Sequence, residues 1–237
     1  MKNIMITGAS NGIGKATFDA IDKDLFDNII LIDKKNSDYC DEKTTSILCD
    51  IAKEEDVKRV FNFLDDKGIV ITHAVNCAGV TGPSKTFSES TLEEFDKVMN
   101  VNLRGTFMML KSQLEHMNKA MQGRIVNITS VLGSCAIAGG SQYGASKAGI
   151  IALTKHLAIE YAQKNILINC ISPGGVDTDL IDDLRNSLGV EVLAQMHPVK
   201  RIATPDEIAN YIKFMIETAT TFQTGTEIFI DGGYSAQ

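Results

Sequence analysis

The sequence lacks the features that mark a membrane-spanning, secreted or metal-binding protein. No apolar run approaches the ~18 residues of a spanning helix, and Met1 to Asn3 lead directly into a predicted strand rather than into a charged and apolar leader. The cysteines are five, an odd number, and include no Cys-x-x-Cys pair, so reduced thiols are expected rather than a disulfide framework. The four histidines form no ligand cluster by spacing, and we expect no metal. These residues are Cys40, Cys49, Cys77, Cys135 and Cys170, with His73, His116, His156 and His197.

Basic residues are also in short supply. The 23 Lys and Arg against 30 Asp and Glu give a formal net charge of −7, which argues against nucleic acid or an anionic membrane as a partner. The 237 residues fall within the ~200–250 that one α/β unit uses, and no repeat, linker or low-complexity tract interrupts them. We therefore expect a single domain over residues 1–237 of a cytoplasmic protein.

A glycine-rich turn follows the first predicted strand. The apolar residues up to Thr7 give way to Gly-Ala-Ser-Asn-Gly-Ile-Gly at 8–14, and a helix is predicted from about Ile13. Glycines permit a tight turn and a close approach of the backbone to a pyrophosphate, and the helix N-terminus attracts the anion. We therefore expect a dinucleotide phosphate cradle. Its predicted members are Gly8, Asn11, Gly12, Ile13 and Gly14.

An acidic residue ends the second predicted strand. Asp33 follows the apolar run 28–32 and lies nineteen residues past the glycine-rich turn. A carboxylate there accepts hydrogen bonds from the adenosine ribose hydroxyls and repels the 2′-phosphate of NADP. Asn11, where a basic residue would help to bind that phosphate, points the same way, whereas Lys34 and Lys35 could partly neutralise it. The prediction is NAD in preference to NADP.

Tyr143 and Lys147, four residues apart, are the strongest sign of chemistry in the chain. On a helix this spacing puts both side chains on one face, with Cβ atoms about 5–6 Å apart. The ammonium charge is then expected to lower the tyrosine pKa from its ordinary value of ~10, because an opposite charge favours tyrosinate. Such a pair can exchange a proton with an alcohol or a carbonyl. The spacing also arises by chance, so the pair gains its meaning beside a nucleotide cradle.

Together these motifs resemble the short-chain dehydrogenase/reductase family over essentially the whole chain. The family pattern Thr-Gly-x-x-x-Gly-x-Gly begins at Thr7, its Tyr-x-x-x-Lys pair is present, and Asp-Gly-Gly at 231–233 matches its usual C-terminal end. The other matching positions are Asp50, Ile51, Asn76, Ala78, Gly79, Asn102, Ser130, Pro173, Gly174, Val176 and Thr178. The resemblance implies an NAD(P)-dependent oxidoreductase that interconverts a secondary alcohol and a ketone.

The resemblance also implies a role for each matching residue. Tyr143 would be the acid or base, Ser130 would donate to the substrate oxygen, and Lys147 would support tyrosinate and hydrogen-bond the nicotinamide ribose. Asn102 would hold a water that links Lys147 to solvent. Contacts with the adenosine are implied for Asp50, Ile51, Asn76, Ala78 and Gly79, and contacts with the nicotinamide for Pro173, Gly174, Val176 and Thr178.

Two departures from the family pattern stand out. Cys77 replaces a second asparagine after Asn76, and we expect it to act as a small buried hydrophobe. The stretch between Asp33 and Asp50 is short and polar, so residues 34–43 are not expected to hold a full helix.

Apolar strand-length runs alternate with helical patterns along the chain, which is typical of a doubly wound α/β fold. Later strands are predicted at 71–76, 124–129, 166–171 and 227–230, with helix starts capped by Thr91 and Thr204. The resemblance implies a Rossmann fold whose seven parallel strands have the order 3-2-1-4-5-6-7. Two long predicted helices, 103–121 and 143–162, carry apolar residues on more than one face, and the resemblance implies that they pair in a homotetramer.

The sequence alone does not identify the substrate. Residues 80–85, 131–142 and 179–199 are expected to line the substrate pocket, with about 179–200 as a lid. A small-molecule substrate is expected. An NAD-linked dehydrogenase of an alcohol or dihydrodiol and a reductase of 3-oxoacyl thioesters both fit, and the non-enzyme alternative is a cofactor-sensing binding protein.

Overall fold

The computed structural model describes residues 1–35 and 39–237. Its centre is one sheet of seven parallel strands in the order β3-β2-β1-β4-β5-β6-β7. The strands are β1 (Asn3–Thr7), β2 (Asn28–Asp33), β3 (Thr44–Leu48), β4 (His73–Asn76), β5 (Gly123–Ile128), β6 (Ile166–Pro173) and β7 (Glu227–Ile230). The predicted Rossmann fold and strand order are confirmed.

Helices cover both faces of the sheet. They are α1 (Gly12–Ala20), α2 (Glu54–Asp66), α3 (Leu92–Val98), α4 (Thr106–Ala120), α5 (Ser141–Tyr161), α6 (Asp182–Leu188), α7 (Val190–Gln195) and α8 (Pro205–Glu217). A π-helical segment, Met99–Gly105, joins α3 to α4. Helices α1 and α8 pack together on one face, and α2 and α4 pack together on the other.

Strand β1 shows why both faces must be covered. Its side chains alternate between the two sides of the pleat, so Met5 enters the core beneath α2 and α4, whereas Ile4 and Ile6 enter the core beneath α1 and α8. All three are fully buried. A strand buried on both faces reads as a continuous apolar run, as β1 does.

The predicted caps of two helices are confirmed. Thr91 accepts a hydrogen bond from the Glu94 backbone N–H at 3.2 Å, and the Glu94 side chain accepts one from the Thr91 backbone. Thr204 and Glu207 form the same reciprocal box at the start of α8, with Pro205 in the first turn. Each box satisfies backbone donors that a helix N-terminus leaves free.

The polar stretch after Asp33 yields an element that the sequence did not locate. Strand β3 pairs with β2 in parallel, with Thr44 buried against Ile29. Residues 34, 35 and 39–43 are not helical, in agreement with the expectation for 34–43, and residues 36–38 lie outside the described residues. All five cysteines are free. Among the described residues, no helix is both long and apolar enough to cross a membrane, and no cluster of three or more His, Cys, Asp or Glu is placed to hold a metal ion.

Candidate active site

Two adjoining cavities lie where the strands end. The first, here called the inner pocket, is lined by Ser130, Tyr143 and Lys147 among others. The second, the glycine-loop groove, is lined by residues of the turn at 8–14, by Asp33 and by Asp50. The cavities share lining residues and therefore adjoin along a common wall. The shared residues are Ile13, Cys77, Gly79, Thr178 and Leu180.

The turn at 8–14 is tight enough to require glycine at two positions. Gly8 has φ +68°, and a Cβ there would lie 2.9 Å from the backbone nitrogen of Ala78. A Cβ on Gly14 would lie 2.1 Å from the carbonyl oxygen of Gly8. The backbone of α1 can therefore rise directly out of β1 beside β4, which is the geometry of a phosphate-binding turn.

Polar groups of this turn fit a bound diphosphate. Ser10 Oγ is buried without a hydrogen-bond partner among the described residues, while the Ser10 backbone N–H donates to Asp33 Oδ2 at 3.1 Å. Asn11 precedes α1 without capping it through its side chain, and its Nδ2 donates to Asp179 Oδ2 at 3.1 Å. The Asn11 side chain thus does not satisfy the first backbone N–H groups of α1, which are the groups that bind an anion at a helix N-terminus.

Asp33 stands at the end of β2 and faces the glycine-loop groove. Its Oδ1 accepts a hydrogen bond from the Lys35 backbone N–H at 3.0 Å, so the carboxylate is oriented from both sides by backbone donors. Lys34 and Lys35 also line the groove. A cofactor ribose bound here would therefore lie near one carboxylate and two ammonium groups, which would have opposite effects on the binding of a 2′-phosphate.

Burial governs the acid-base properties of the Tyr143 and Lys147 pair. The Lys147 Nζ lies 5.5 Å from the centre of the Tyr143 ring. Burial raises the pKa of Tyr143 to about 12, although a hydrogen bond with Ser130 opposes the rise. Burial lowers the pKa of Lys147 to about 8. The predicted lowering of the Tyr143 pKa is therefore wrong, because removing the phenol from water disfavours tyrosinate and raises the pKa instead.

Lys147 is buried and its ammonium group is anchored to strand β5. It is 3% exposed, and its Nζ donates to the Ile128 carbonyl oxygen at the end of β5, at 2.9 Å. Ser130 follows on the same strand end, and its Oγ accepts a hydrogen bond from the Leu132 backbone N–H at 3.2 Å. The end of β5 thus fixes Lys147, and the turn that follows it fixes Ser130.

The Asn102 side chain forms hydrogen bonds inside the fold and is not among the residues that line either cavity. It is fully buried in the π-helical segment. Its Nδ2 donates to the Val80 carbonyl oxygen at 2.9 Å and to Ser146 Oγ at 3.0 Å, and its Oδ1 accepts from the Val80 backbone N–H at 2.8 Å. Both side-chain N–H donors are in use, so a water of the predicted relay could not accept a hydrogen bond from this amide. Among the described residues, Asn102 positions the loop after Gly79 and the start of α5.

His197 braces the segment that follows β6. Its Nε2 accepts a hydrogen bond from the Gly175 backbone N–H at 2.9 Å, and its Nδ1 lies 2.9 Å from the Leu193 carbonyl oxygen. A Cβ on Gly174 would lie 2.7 Å from the same Nε2. The imidazole therefore ties residues 173–178 to α7. Leu180, Leu184, Leu193 and Met196 of the predicted lid line the inner pocket, and the motion of the lid stays a prediction.

Most of the predicted site residues line one of the two cavities. The glycine-loop groove takes Gly8, Asn11, Gly12, Ile13, Gly14, Asp33, Asp50, Ile51, Ala78, Gly79 and Thr178, and the inner pocket takes Ser130, Tyr143, Lys147, Pro173, Gly174 and Val176. Asn76 does not line either cavity. Its amide is 5% exposed and hydrogen-bonds Gln113 and Asn127 inside the core, because a side chain on β4 must satisfy its polar atoms beneath α4.

The pocket wall also contains residues that were not predicted to be catalytic or cofactor-binding. Cys77, expected to be a small buried hydrophobe, is half-buried and lines both cavities, and desolvation raises the pKa of its thiol to about 12, so it is a protonated thiol rather than a nucleophile. Gln142 and Tyr234 line the inner pocket. Gln142 lies within the range 131–142 that was predicted to line the substrate pocket, and it directly precedes Tyr143.

Comparison with known proteins places the chain among oxidoreductases. The family model described as enoyl-(acyl carrier protein) reductase matches residues 8–235. The chain is 31% identical to 3-oxoacyl-(acyl-carrier-protein) reductase FabG of Aquifex aeolicus over 97% of this chain and 95% of the relative. It is 30% identical to glucose 1-dehydrogenase 2 of Bacillus subtilis over 98% of this chain and 94% of the relative. The solved structure of ElxO with NADP bound has a TM-score of 0.90 at 30% identity, covering 100% of this chain and 99% of the other.

Proposed function

This chain belongs to the short-chain dehydrogenase/reductase family, and from that premise we propose that it interconverts a secondary alcohol and a ketone with a nicotinamide dinucleotide. One observation carries the proposal. Tyr143, Lys147 and Ser130 line a pocket that adjoins the glycine-loop groove and shares wall residues with it. A reacting carbon beside Tyr143 would therefore lie next to a cofactor ring that entered from the groove.

The chain's own residues supply the proton chemistry. When bound, the nicotinamide supplies the hydride acceptor or donor, and in its oxidised form a positive charge. Tyr143 is a phenol at neutral pH, since its pKa is raised to about 12, and it can donate its proton to a forming alkoxide. Proton removal from an alcohol needs tyrosinate, which a protonated Lys147 and a nearby positive ring would both favour. Ser130 would hold the substrate oxygen within reach.

We propose NAD in preference to NADP. Asp33 is a fixed carboxylate at the end of β2, and a 2′-phosphate beside it would face like charge. ElxO, at 30% identity, has been solved with NADP, so the preference has to be tested on this chain. Titrations with NADH and NADPH should give at least about tenfold tighter NADH, or ~1.4 kcal/mol. Asp33→Ala should remove that difference, and Asp24→Ala, an exposed carboxylate outside the groove, should keep it. Tighter NADPH binding by the unmodified protein would contradict the proposal.

The proposed substrate is an alcohol or dihydrodiol. The alternative is reduction of a 3-oxoacyl thioester, favoured by the relative from Aquifex aeolicus. Initial rates with secondary alcohols and NAD, against acetoacetyl thioesters and NADPH, would separate the two. A cofactor-sensing protein without turnover is the non-enzyme alternative, and it would bind the cofactor while converting neither substrate.

Tyr143→Phe tests the catalytic assignment. The substitution removes the proton donor and acceptor but keeps the ring, so the turnover number should fall by about 10²–10⁴-fold. Tyr161→Phe, at the far end of the same helix, is the matched control and should retain activity. Equal rates for Tyr143→Phe and the unmodified protein would remove Tyr143 from the reaction.

We also propose a cytoplasmic homotetramer. Phe107 on α4 and Ile159 on α5 are 51% and 81% exposed, which supports a second apolar face on these two helices. Light scattering of the purified protein would give the assembly mass. A monomer at micromolar concentration would contradict this proposal.

A further inference from the structure

Gln142 is a buried amide without a partner. The residue is 6% exposed, and neither its Oε1 nor its Nε2 has a hydrogen-bond partner among the described residues. Leaving such a group unpaired is costly, and a folded protein usually pairs it. Gln142 lines the inner pocket directly beside Tyr143. An unpaired amide at this position points to a ligand.

Gly82 makes the room for this amide. A Cβ on Gly82 would lie 2.6 Å from Gln142 Oε1 and 3.1 Å from the Val98 side chain, so an alanine would push the amide out of its place. Gly82 lines the same pocket. The loop that carries it and the helix that carries Gln142 together shape one polar position in the wall.

The inner pocket as a whole is lined mostly by apolar side chains and glycines. Val131, Leu132, Ile137 and Leu193 are among them, and Lys147 is the only Lys or Arg among the described lining residues. A carboxylate or phosphate on the substrate would therefore find no second cation there. An uncharged oxygen group meets no such penalty, because Nε2 can donate to it and Oε1 can accept from it.

We propose that Gln142 is a specificity-determining residue that binds a hydroxyl group of the substrate other than the one that reacts. A hydroxyl both donates and accepts, so one such group can satisfy both ends of the amide. The inference rests on the proposed function and deepens it: the substrate is an otherwise apolar molecule with a second, uncharged hydroxyl. An alcohol that lacks it would leave the amide unpaired in the complex.

Steady-state oxidation of cyclohexanol and of its three positional cyclohexanediols tests this inference. With the unmodified protein, at least one diol should exceed cyclohexanol in kcat/KM by about 10- to 100-fold. Gln142→Leu should bring that ratio close to one, and Gly82→Ala should lower it in the same direction. Gln122→Leu, on an exposed glutamine between α4 and β5, should leave the ratio unchanged.

Thermal unfolding without substrate is the second readout, and it does not depend on turnover. Gln142→Leu removes a buried unpaired amide, so its melting temperature should rise by about 2–5 °C. A preference for no diol, or a preference that survives Gln142→Leu, overturns the inference while turnover itself upholds the proposed function. If none of the four compounds is oxidised, the proposed function fails for this substrate class. In that case the melting temperature of Gln142→Leu tests the inference. A fall would overturn it, because it would show that the amide supports the fold.

Discussion

Lys147→Met should make the protein more stable at neutral pH while it destroys the proposed activity. Lys147 is almost fully buried, and its pKa falls from an ordinary 10.5 to about 8. A fall of about 2.5 pH units corresponds to roughly 3 kcal/mol at ~1.4 kcal/mol per unit. Methionine has a similar length and carries no charge. Its loss of the hydrogen bond to the Ile128 carbonyl oxygen offsets about 1 kcal/mol, which leaves a net gain of about 2 kcal/mol.

The sign of the pH dependence follows from the direction of the shift. Below pH 8, Lys147 is charged in the folded and unfolded chains, and the folded chain bears the full cost of burying the charge. Between about 8 and 10.5 the folded chain releases its proton first, so the cost declines as pH rises. By pH 9.5 the advantage of Lys147→Met should have shrunk by roughly 2 kcal/mol, to near zero.

Urea unfolding of both proteins at pH 7 and pH 9.5, at one protein concentration, measures this directly. Taking the difference between the two proteins cancels the pH response of all other groups that the substitution leaves alone. The change between the two pH values does not depend on the hydrogen bond to Ile128, since that loss is the same at both. A difference in the free energy of unfolding that stays constant from pH 7 to 9.5 would refute the reasoning, because Lys147 would then titrate normally.

Two further predictions concern residues that hold the site from outside it. Glu227 accepts hydrogen bonds from Ser134 Oγ at 2.8 Å and Ser172 Oγ at 2.7 Å, next to the turn that follows Ser130. Glu227→Ala should lower kcat about 3- to 10-fold with unchanged cofactor affinity, and an unchanged kcat would contradict this positioning role. His197→Ala removes the acceptor of the Gly175 N–H, so it should weaken cofactor binding about tenfold by titration. His156 is exposed, and His156→Ala is the control. Equal cofactor affinities of the two variants would contradict the proposed role of the hydrogen bond between His197 and Gly175.

The parts of the site that are local in sequence could be predicted from the sequence. The glycine turn depends on a strand, a few glycines and a helix in succession, and Tyr143 and Lys147 depend on the period of one helix. Asp33 could be predicted because it directly follows the apolar run of a strand. Strand β3 could not be located in the same way, because its partly exposed residues lack the apolar run of a central strand.

The rest depends on contacts between distant segments. Gln142 owes its position to Gly82, sixty residues earlier in the chain, and the role of His197 depends on Gly175. The pKa of Tyr143 reverses the sequence-based expectation for the same reason. Helical spacing predicts the distance to Lys147 but does not reveal how far the fold removes the phenol from water.

Stability separates the two kinds of polar residue in this site. Asn102, Glu227 and His197 have their hydrogen-bonding atoms paired inside the protein, so truncating any of them leaves an unpaired partner and should destabilise the fold. Lys147 bears a charge that burial disfavours, and Gln142 bears an amide with no hydrogen-bond partner among the residues that the structure describes, so their apolar replacements should stabilise the fold. Local rules of folding are broken mainly where a ligand restores the balance. The sign of the stability change, measured without ligand, therefore assigns a polar residue of this pocket to the fold or to the ligand before any substrate is known.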